Sequence, residues 1–240
     1  MFSFFRKKDY RSLCIVDVHS HILPSLDDGV ANLQESMDVL SAMQSFGYKK
    51  IIATPHIMSD VYSYDILDIK ARYKLLEDEV LKSNLDIGIS LAAEYYLDEF
   101  FMSNLQQNIL AIDDKYILFE TSYISKPMDF EDMVFYIKSL GYTPLMAHPE
   151  RYRYIKEYKE YHSLKKMGIL FQLDINSVVG YYGEDAYKKA LFLIKNGLVD
   201  FVGSDIHKFN QIESLKKAFS SKIYRKIFNF NDILNSNFIS

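Results

Sequence analysis

The stretch "LCIVDVHSHILPSLDDGVANLQESMDVLSAMQSFGYKKIIATPH", Leu13 to His56, holds one full repeat of the pattern on which this chain is built. "LCIVDVH" (13–19) is a short apolar run, as expected of a buried strand. "NLQESMDVLSAMQSFG" (32–47) places apolar residues at 33, 37, 40 and 43, a helical spacing, and Gly47 ends it. "KKIIATPH" (49–56) is again a strand. Between the first strand and the helix, His19 and His21 stand one residue apart, with Asp27 and Asp28 side by side behind them.

The alternation continues outward to the C-terminus. Helix 63–83 is followed by strand "IGISLAAEY" (87–95) and a short helical patch near 98–107. Then come strand "YILFET" (116–121), helix 129–141, strand "YTPLMAHPE" (142–150), helix 154–168, strand "GILFQLDIN" (168–176), helix 183–197 and strand "VDFVGSDIH" (199–207). Mostly helical sequence closes the chain. Three helices run into Gly47, Gly141 and Gly168, and a fourth into Asn196-Gly197, the usual stop before the next strand. Seven βα units in this order predict parallel strands flanked by helices, either a barrel or an open doubly wound sheet. No G-x-G-x-x-G or G-x-x-x-x-G-K-[ST] follows any strand, which weakens the dinucleotide- and nucleotide-binding alternatives.

Composition narrows the remaining classes. The 240 residues suffice for a sizeable core, and no linker or repeat marks a boundary, so a single domain over 1–240 is expected. A net charge of −4 gives no footprint for nucleic acid, and no apolar run approaches the roughly 18 residues of a membrane span. The start, "MFSFFRKKDYRS" (1–12), lacks the layout of a signal peptide and reads as a flexible terminus or a docking segment. A lone cysteine, Cys14, fits a reducing cytoplasm. The helical stretch "ANLQESMDVLSAM" (31–43) reads as outer packing, with a contact between copies of the chain as the alternative.

Parallel α/β folds carry their chemistry at the C-terminal ends of the strands. Those ends hold, in order, His19 and His21 with the Asp27–Asp28 pair, His56, Glu94, Glu120, His148 with Arg151, Asp174 with Asn176, and Asp205 with His207. Five of six histidines thus fall at one end; His162, in a polar helix, reads as a solvated surface residue. Imidazoles and carboxylates without thiolate suit Mn, Fe, Zn or Mg. Nine candidates are too many for one ion and would serve two or three, lowering the pKa of a bridging water and clamping phosphoryl oxygens. Arg151 could grip a phosphate bidentately or form a surface ion pair.

In this arrangement the sequence resembles the polymerase and histidinol phosphatase (PHP) superfamily. Its blocks "DVHSHILPSLDDG", "ATPH", "AAEYYLD", "ILFE", "AHPERY" and "GSDIH" resemble in particular the bacterial metal-dependent tyrosine phosphatases of the CpsB/CapC type, over about residues 13–210. The resemblance implies a distorted seven-stranded (β/α) TIM-like barrel (the PHP fold) with a trinuclear metal centre, manganese first among the candidate ions. It implies His19, His21, Glu120 and Asp205 around one metal, Glu94 and His148 with bridging Glu120 around a second, and Asp28, His56 and His207 around a third. Asp28 is preferred because it precedes the Gly, with Asp27 the alternative. The implied activity is hydrolysis of phosphotyrosine by metal-bridged hydroxide, with Arg151 holding phosphate. The implied partner is a bacterial tyrosine autokinase controlling capsule or exopolysaccharide synthesis. An arginine often found a few residues after the D-x-H is missing, and only Lys208 is at hand. Thiolate chemistry is excluded, because C-x-x-x-x-x-R starting at Cys14 would need Arg where Ser20 stands. Two alternatives are carried: a small-molecule phosphomonoesterase of the histidinol-phosphatase kind, and a non-catalytic docking subunit.

Overall fold

The computed structural model describes residues 10–62, 64–105 and 109–239. The expectation for the N-terminal segment therefore falls largely outside the described residues. Its last part, from Ser12, is tied down: the Ser12 N–H donates to the Phe46 carbonyl, and its hydroxyl lies 2.8 Å from the Tyr224 hydroxyl.

Among the described residues nine short strands are interspersed with helices, in the order β1 (Val16–Asp17), α1 (Leu33–Ser45), β2 (Lys50–Ala53), β3 (His56–Ile57), α2 (Ile66–Lys82), β4 (Gly88–Leu91), β5 (Glu94–Tyr96) and α3 (Phe101–Asn104). There follow β6 (Tyr116–Glu120), α4 (Phe130–Ser139), β7 (Thr143–Ala147), α5 (Lys159–Lys166), β8 (Leu170–Asp174), α6 (Glu184–Lys195), β9 (Phe201–Gly203), α7 (Ile212–Phe219) and α8 (Lys222–Phe230). Helix α5 starts later than its sequence suggests. The Glu160 carboxylate accepts from the Lys156 and Glu157 N–H groups, which holds the preceding turn open. The four glycine stops behave as predicted. After α1 the Gly47 N–H donates to Gln44 and the Tyr48 N–H to Met43, and Gly47, Gly141, Gly168 and Gly197 all have positive φ.

All strand pairs are parallel, and they form two sheets, β1-β2-β4 and β3-β5-β6-β7-β8-β9. The expected closed seven-stranded ladder is not formed, for two local reasons. Between β2 and β3, Pro55 has no N–H to donate, and opposite it the Ala93 N–H turns away to the Leu110 carbonyl. Between β1 and β9, side chains replace backbone pairing. The Asn235 amide donates to the Val16 and Val202 carbonyls and accepts from the Val202 N–H, while the Asp17 carboxylate accepts from the Ser204 N–H and hydroxyl. Beyond that gap the backbones meet again in a parallel bridge between Ser20 and Ile206.

Successive strand residues point to opposite faces. One face packs against the helices: Phe119, Met146, Phe171 and Val202 join Val39, Leu40 and Met43 of α1 in one large core. The other face carries Tyr116, Leu118, Leu145 and Phe201, which close around Phe238 near the N-terminal ends of the strands. Continuing along β6, that second face passes from Tyr116 and Leu118 to Glu120.

Candidate metal centre

The nine residues singled out by sequence lie together at the C-terminal ends of the strands. His19 and His21 follow β1, and their Nε2 atoms are 3.1 Å apart. Glu94 Oε2 lies 3.1 Å from His19 Nε2, 3.3 Å from His21 Nε2 and 3.2 Å from His56 Nδ1, and it makes no hydrogen bond. Asp205 Oδ1 is likewise within 3.3 Å of His19 and His21 and 3.5 Å of His207, also without a hydrogen bond. Three sets of donor atoms converge: His19, His21, Glu94 and Asp205; His56, Glu94 and Glu120; and His21, Asp28, His56 and His207. His148 Nε2 approaches Glu94 Oε1 at 3.1 Å.

The expected partition changes at Glu94 and Glu120. Glu94, not Glu120, joins His19, His21 and Asp205, because β5 begins at Glu94 and directs it to the middle of the cluster. Glu120, at the end of β6, faces His56 at 3.2 Å and His148 at 3.8 Å. The Asp27–Asp28 choice also separates. Asp28 Oδ1 lies 3.5 Å from His56 Nε2 and 3.4 Å from His207 Nε2, whereas Asp27 turns inward. Asp27 Oδ2 accepts from His21 Nδ1 at 2.8 Å and from the His56 N–H at 3.1 Å.

The imidazoles are oriented from behind. His19 Nδ1 donates to Gln172 Oε1 at 2.8 Å, His21 Nδ1 to Asp27, and His207 Nδ1 to the Asp205 carbonyl at 2.9 Å. Each of these bonds fixes the ring orientation and turns an Nε2 atom toward the carboxylates. His148 and Asp205 sit in the left-handed backbone region, with φ of 32° and 47°. For residues with a Cβ this strain costs on the order of 1 kcal/mol each and is found at functional sites. Gly203 permits the close approach, since a Cβ there would lie 2.7 Å from both Gln172 Nε2 and His19 Cβ.

The charges are tightly coupled. Burial opposes the charge of His19, but the Glu94 and Asp205 carboxylates outweigh it and raise its pKa to about 9. His56 is pushed up to about 10 in the same way, burial and His21 opposing, Glu94 and Asp28 prevailing. Glu94 and Asp205 are held far below the usual carboxylate range by the histidines despite complete burial. Lone pairs of buried nitrogen and oxygen with no hydrogen-bonding partner, and no thiolate among them, fit divalent cations, which would displace the imidazole protons.

Arg151, in the turn after β7, hydrogen-bonds to Asp205 Oδ2, and its guanidinium lies between the rings of Tyr123 and Tyr182, 4.8 and 4.1 Å from their centroids. It borders a pocket of about 440 Å³ whose floor is Asp28, His56, Glu94, Glu120, His148, Asp205 and His207. Lys208 is exposed at the rim beside His207. His162 is exposed on α5, away from the cluster. Cys14 is buried, which pushes its thiol well above the usual range and leaves no thiolate nucleophile.

With this geometry established, comparison with known proteins identifies the family. The sequence profile described as "Capsular polysaccharide synthesis, CpsB/CapC" matches residues 15–233. The chain belongs to the CpsB/CapC family. Among its relatives, the tyrosine-protein phosphatase YwqE of Bacillus subtilis (strain 168) is 30% identical over 221 residues, 87% of each chain. The putative tyrosine-protein phosphatase CapC of Staphylococcus aureus is 28% identical over 212 residues, covering 87% of this chain and 83% of CapC. A solved structure from work on YwqE and Streptococcus pneumoniae CpsB, described as unique metal-dependent tyrosine phosphatases, superposes with a TM-score of 0.77 at 26% identity. It covers 91% of this chain and 96% of the other. The histidinol phosphate phosphatase of Lactococcus lactis shares the fold alone, with a TM-score of 0.52 at 13% identity over 87% of this chain and 93% of the other. The fold of this CpsB/CapC member is accordingly a parallel α/β fold shared with these structures.

Sequence reading missed the supports of the site: Gln172, Tyr123 and Tyr182. Gln172 had a signal, being the one polar residue inside the apolar run "ILFQL". Tyr123 and Tyr182 had none, because they come from loops far apart in sequence.

Proposed function

We propose that this chain is a metal-dependent protein-tyrosine phosphatase, hydrolysing phosphotyrosine on a partner such as a bacterial tyrosine autokinase of capsule or exopolysaccharide synthesis. One observation carries this reading. Glu94 Oε2 and Asp205 Oδ1 are each surrounded by imidazole nitrogens without a hydrogen bond, at the floor of a pocket bordered by Arg151. The names of the relatives give the substrate class.

Two or three divalent ions, manganese first, would be held by His19, His21, Glu94 and Asp205, by His56, Glu94, Glu120 and His148, and by Asp28, His56 and His207. Such ions supply Lewis acidity toward phosphoryl oxygens and an acidified water. The chain's own part is orientation and charge. Gln172 and Asp27 hold two imidazoles in one tautomer. Arg151, kept cationic by Asp205 against its burial, offers its remaining N–H groups to a phosphate oxygen. Hydrolysis joins a water oxygen to phosphorus and breaks the bond to the tyrosyl oxygen. With a pKa near ~10 the phenol leaves with little demand for a general acid.

We also read the two sheets as one distorted barrel of seven βα units within a single domain, in a cytoplasmic protein. The Ser20–Ile206 bridge, the shared core and the absence, among the described residues, of a helix long and apolar enough to cross a membrane support this. The experiment is phosphate release by manganese-loaded protein from a phosphotyrosyl peptide and from aliphatic phosphomonoesters. Preference for the peptide is expected. Turnover of the aliphatic esters alone would overturn the reading in favour of a small-molecule phosphatase.

A further inference from the structure

Beside the pocket over the histidines lies a larger groove that the chemistry above does not use. Its volume is about 800 Å³, and Tyr123, Ile124 and Arg151 form a wall common to both. A ligand whose phosphate sits next to Arg151 can extend across Tyr123 and Ile124 into this groove along a continuous surface. Ile124 is 75% exposed at the junction, an apolar side chain offered to whatever crosses it. The walls are tied together, since the Arg153 N–H donates to the Tyr123 carbonyl at 2.7 Å.

The groove is cationic although the chain carries a net charge of −4. Arg151, Arg153, Lys156 and Lys189 line it against only Glu184 and Asp185. Both carboxylates are neutralised within α6, Glu184 by Lys188 at 2.7 Å and Asp185 by Lys189 at 2.7 Å. Lys189 is further engaged by the Tyr152 carbonyl at 2.8 Å, and Arg151 by Asp205. Arg153 and Lys156 are exposed, and among the described residues no carboxylate pairs with either. The first turn of α6 opens on the same groove through Gly183, which supplies no side-chain cap. Two unpaired cations facing a groove continuous with a phosphate pocket call for an anionic ligand segment.

We propose that this groove binds the peptide segment flanking the phosphotyrosine and selects anionic side chains there, with Arg153 and Lys156 as the recognising groups. This rests on the phosphotyrosine reading above and adds to it a specificity for acidic flanks.

The test uses the metal-loaded full-length protein and the double variant Arg153→Gln, Lys156→Gln. Probes are free phosphotyrosine, a phosphotyrosyl peptide with neutral flanks, and peptides with a Glu pair before or after the phosphotyrosine. A further peptide with a second phosphotyrosine in place of the Glu pair distinguishes carboxylate from phosphate as the anion. Steady-state kinetics and fluorescence-anisotropy binding are both read. An anionic flank on one side is expected to improve KM and Kd about fivefold, with kcat little changed and the gain shrinking in high salt. The double variant should lose that gain and leave free phosphotyrosine turnover untouched. Equal treatment of neutral and anionic flanks by the wild type, or a gain that survives in the double variant, would overturn the groove. Flank-dependent binding that needs both cations but releases no phosphate would uphold the groove and overturn the phosphatase reading.

Discussion

The inner face of the strands ends in two ways. Toward the N-terminal ends, Tyr116, Phe201 and Phe238 pack ring to ring with centroids 5.2 to 5.7 Å apart, over Val16, Val18, Leu118 and Leu145. Every side chain there gains from burial, roughly 1.5–3 kcal/mol for each large one. Toward the C-terminal ends the same strands bring five histidines and four carboxylates together, several atoms of which find no hydrogen-bond partner. That end is stabilised by its neighbours and costs free energy itself. The strands hold an apolar plug and a reactive cluster within a few residues of each other, and substitutions at the two ends should fail in opposite ways.

The largest effect belongs to the cluster. His19→Ala combined with His21→Ala should lower manganese-dependent phosphatase activity by about 10³-fold or more, while the metal-free protein still folds, with a lower thermal midpoint because Glu94 and Asp205 lose their imidazole partners. Activity assays and calorimetry read the two halves separately. Full activity would dismiss these histidines from the centre, and global unfolding would make them structural.

At the other end, Phe201→Ala removes a ring packed between Tyr116 and Phe238 and should cost about 3–4 kcal/mol of unfolding free energy. Metal stoichiometry and kcat should persist at temperatures where the variant is folded. A loss of metal with unchanged stability would contradict the division between the ends.

How much of this division was legible in the sequence depends on distance along the chain. His19 with His21, His56, Glu94, Glu120, His148 and Asp205 with His207 could be placed because a strand end is a local property of an apolar run. The partition among them could not. Whether Glu94 or Glu120 stands with His19 depends on how β5 and β6 splay, and no local pattern encodes that. The sheet breaks were half visible: Pro55 announces a missing donor, but Asn235 reaching into the gap between β1 and β9 comes from more than 200 residues beyond Val16. The C-capping glycines were fully visible, because left-handed φ is a one-residue requirement.

Behind the cluster, Glu150 extends the cost of the functional end. It is fully buried, accepts from the Asp174 N–H at 3.0 Å and the Ser177 hydroxyl at 2.7 Å, and has its second oxygen unpartnered. Burial pushes its pKa from 4.5 up to about 7. The folded state thus holds a proton that the unfolded state releases. Its stabilising share is present below pH 4.5 and is lost as pH rises through about 7, on the order of 3 kcal/mol by about pH 8. Glu150→Gln keeps an acceptor for both donors and removes the ionisation. Denaturant midpoints in chelator should show the variant more stable than wild type near pH 8 and the difference shrinking toward pH 5. A constant difference across that range would show that Glu150 does not titrate with folding.

The smallest effect tests whether the cluster is organised from behind as well as by its own members. Gln172 lies on the inner face of β8, where an apolar residue would continue the plug, and instead accepts from His19 Nδ1. Without it the His19 ring can rotate or change tautomer, and its Nε2 lone pair leaves the converging set. Gln172→Ala should therefore weaken manganese binding about tenfold, read by competition with a chromogenic chelator, with little change in unfolding free energy. Gln172→Glu restores an acceptor at the same place and should recover most of that affinity. Loss of affinity in both variants would point to the packing of the Gln172 amide over Gly203 in place of tautomer control.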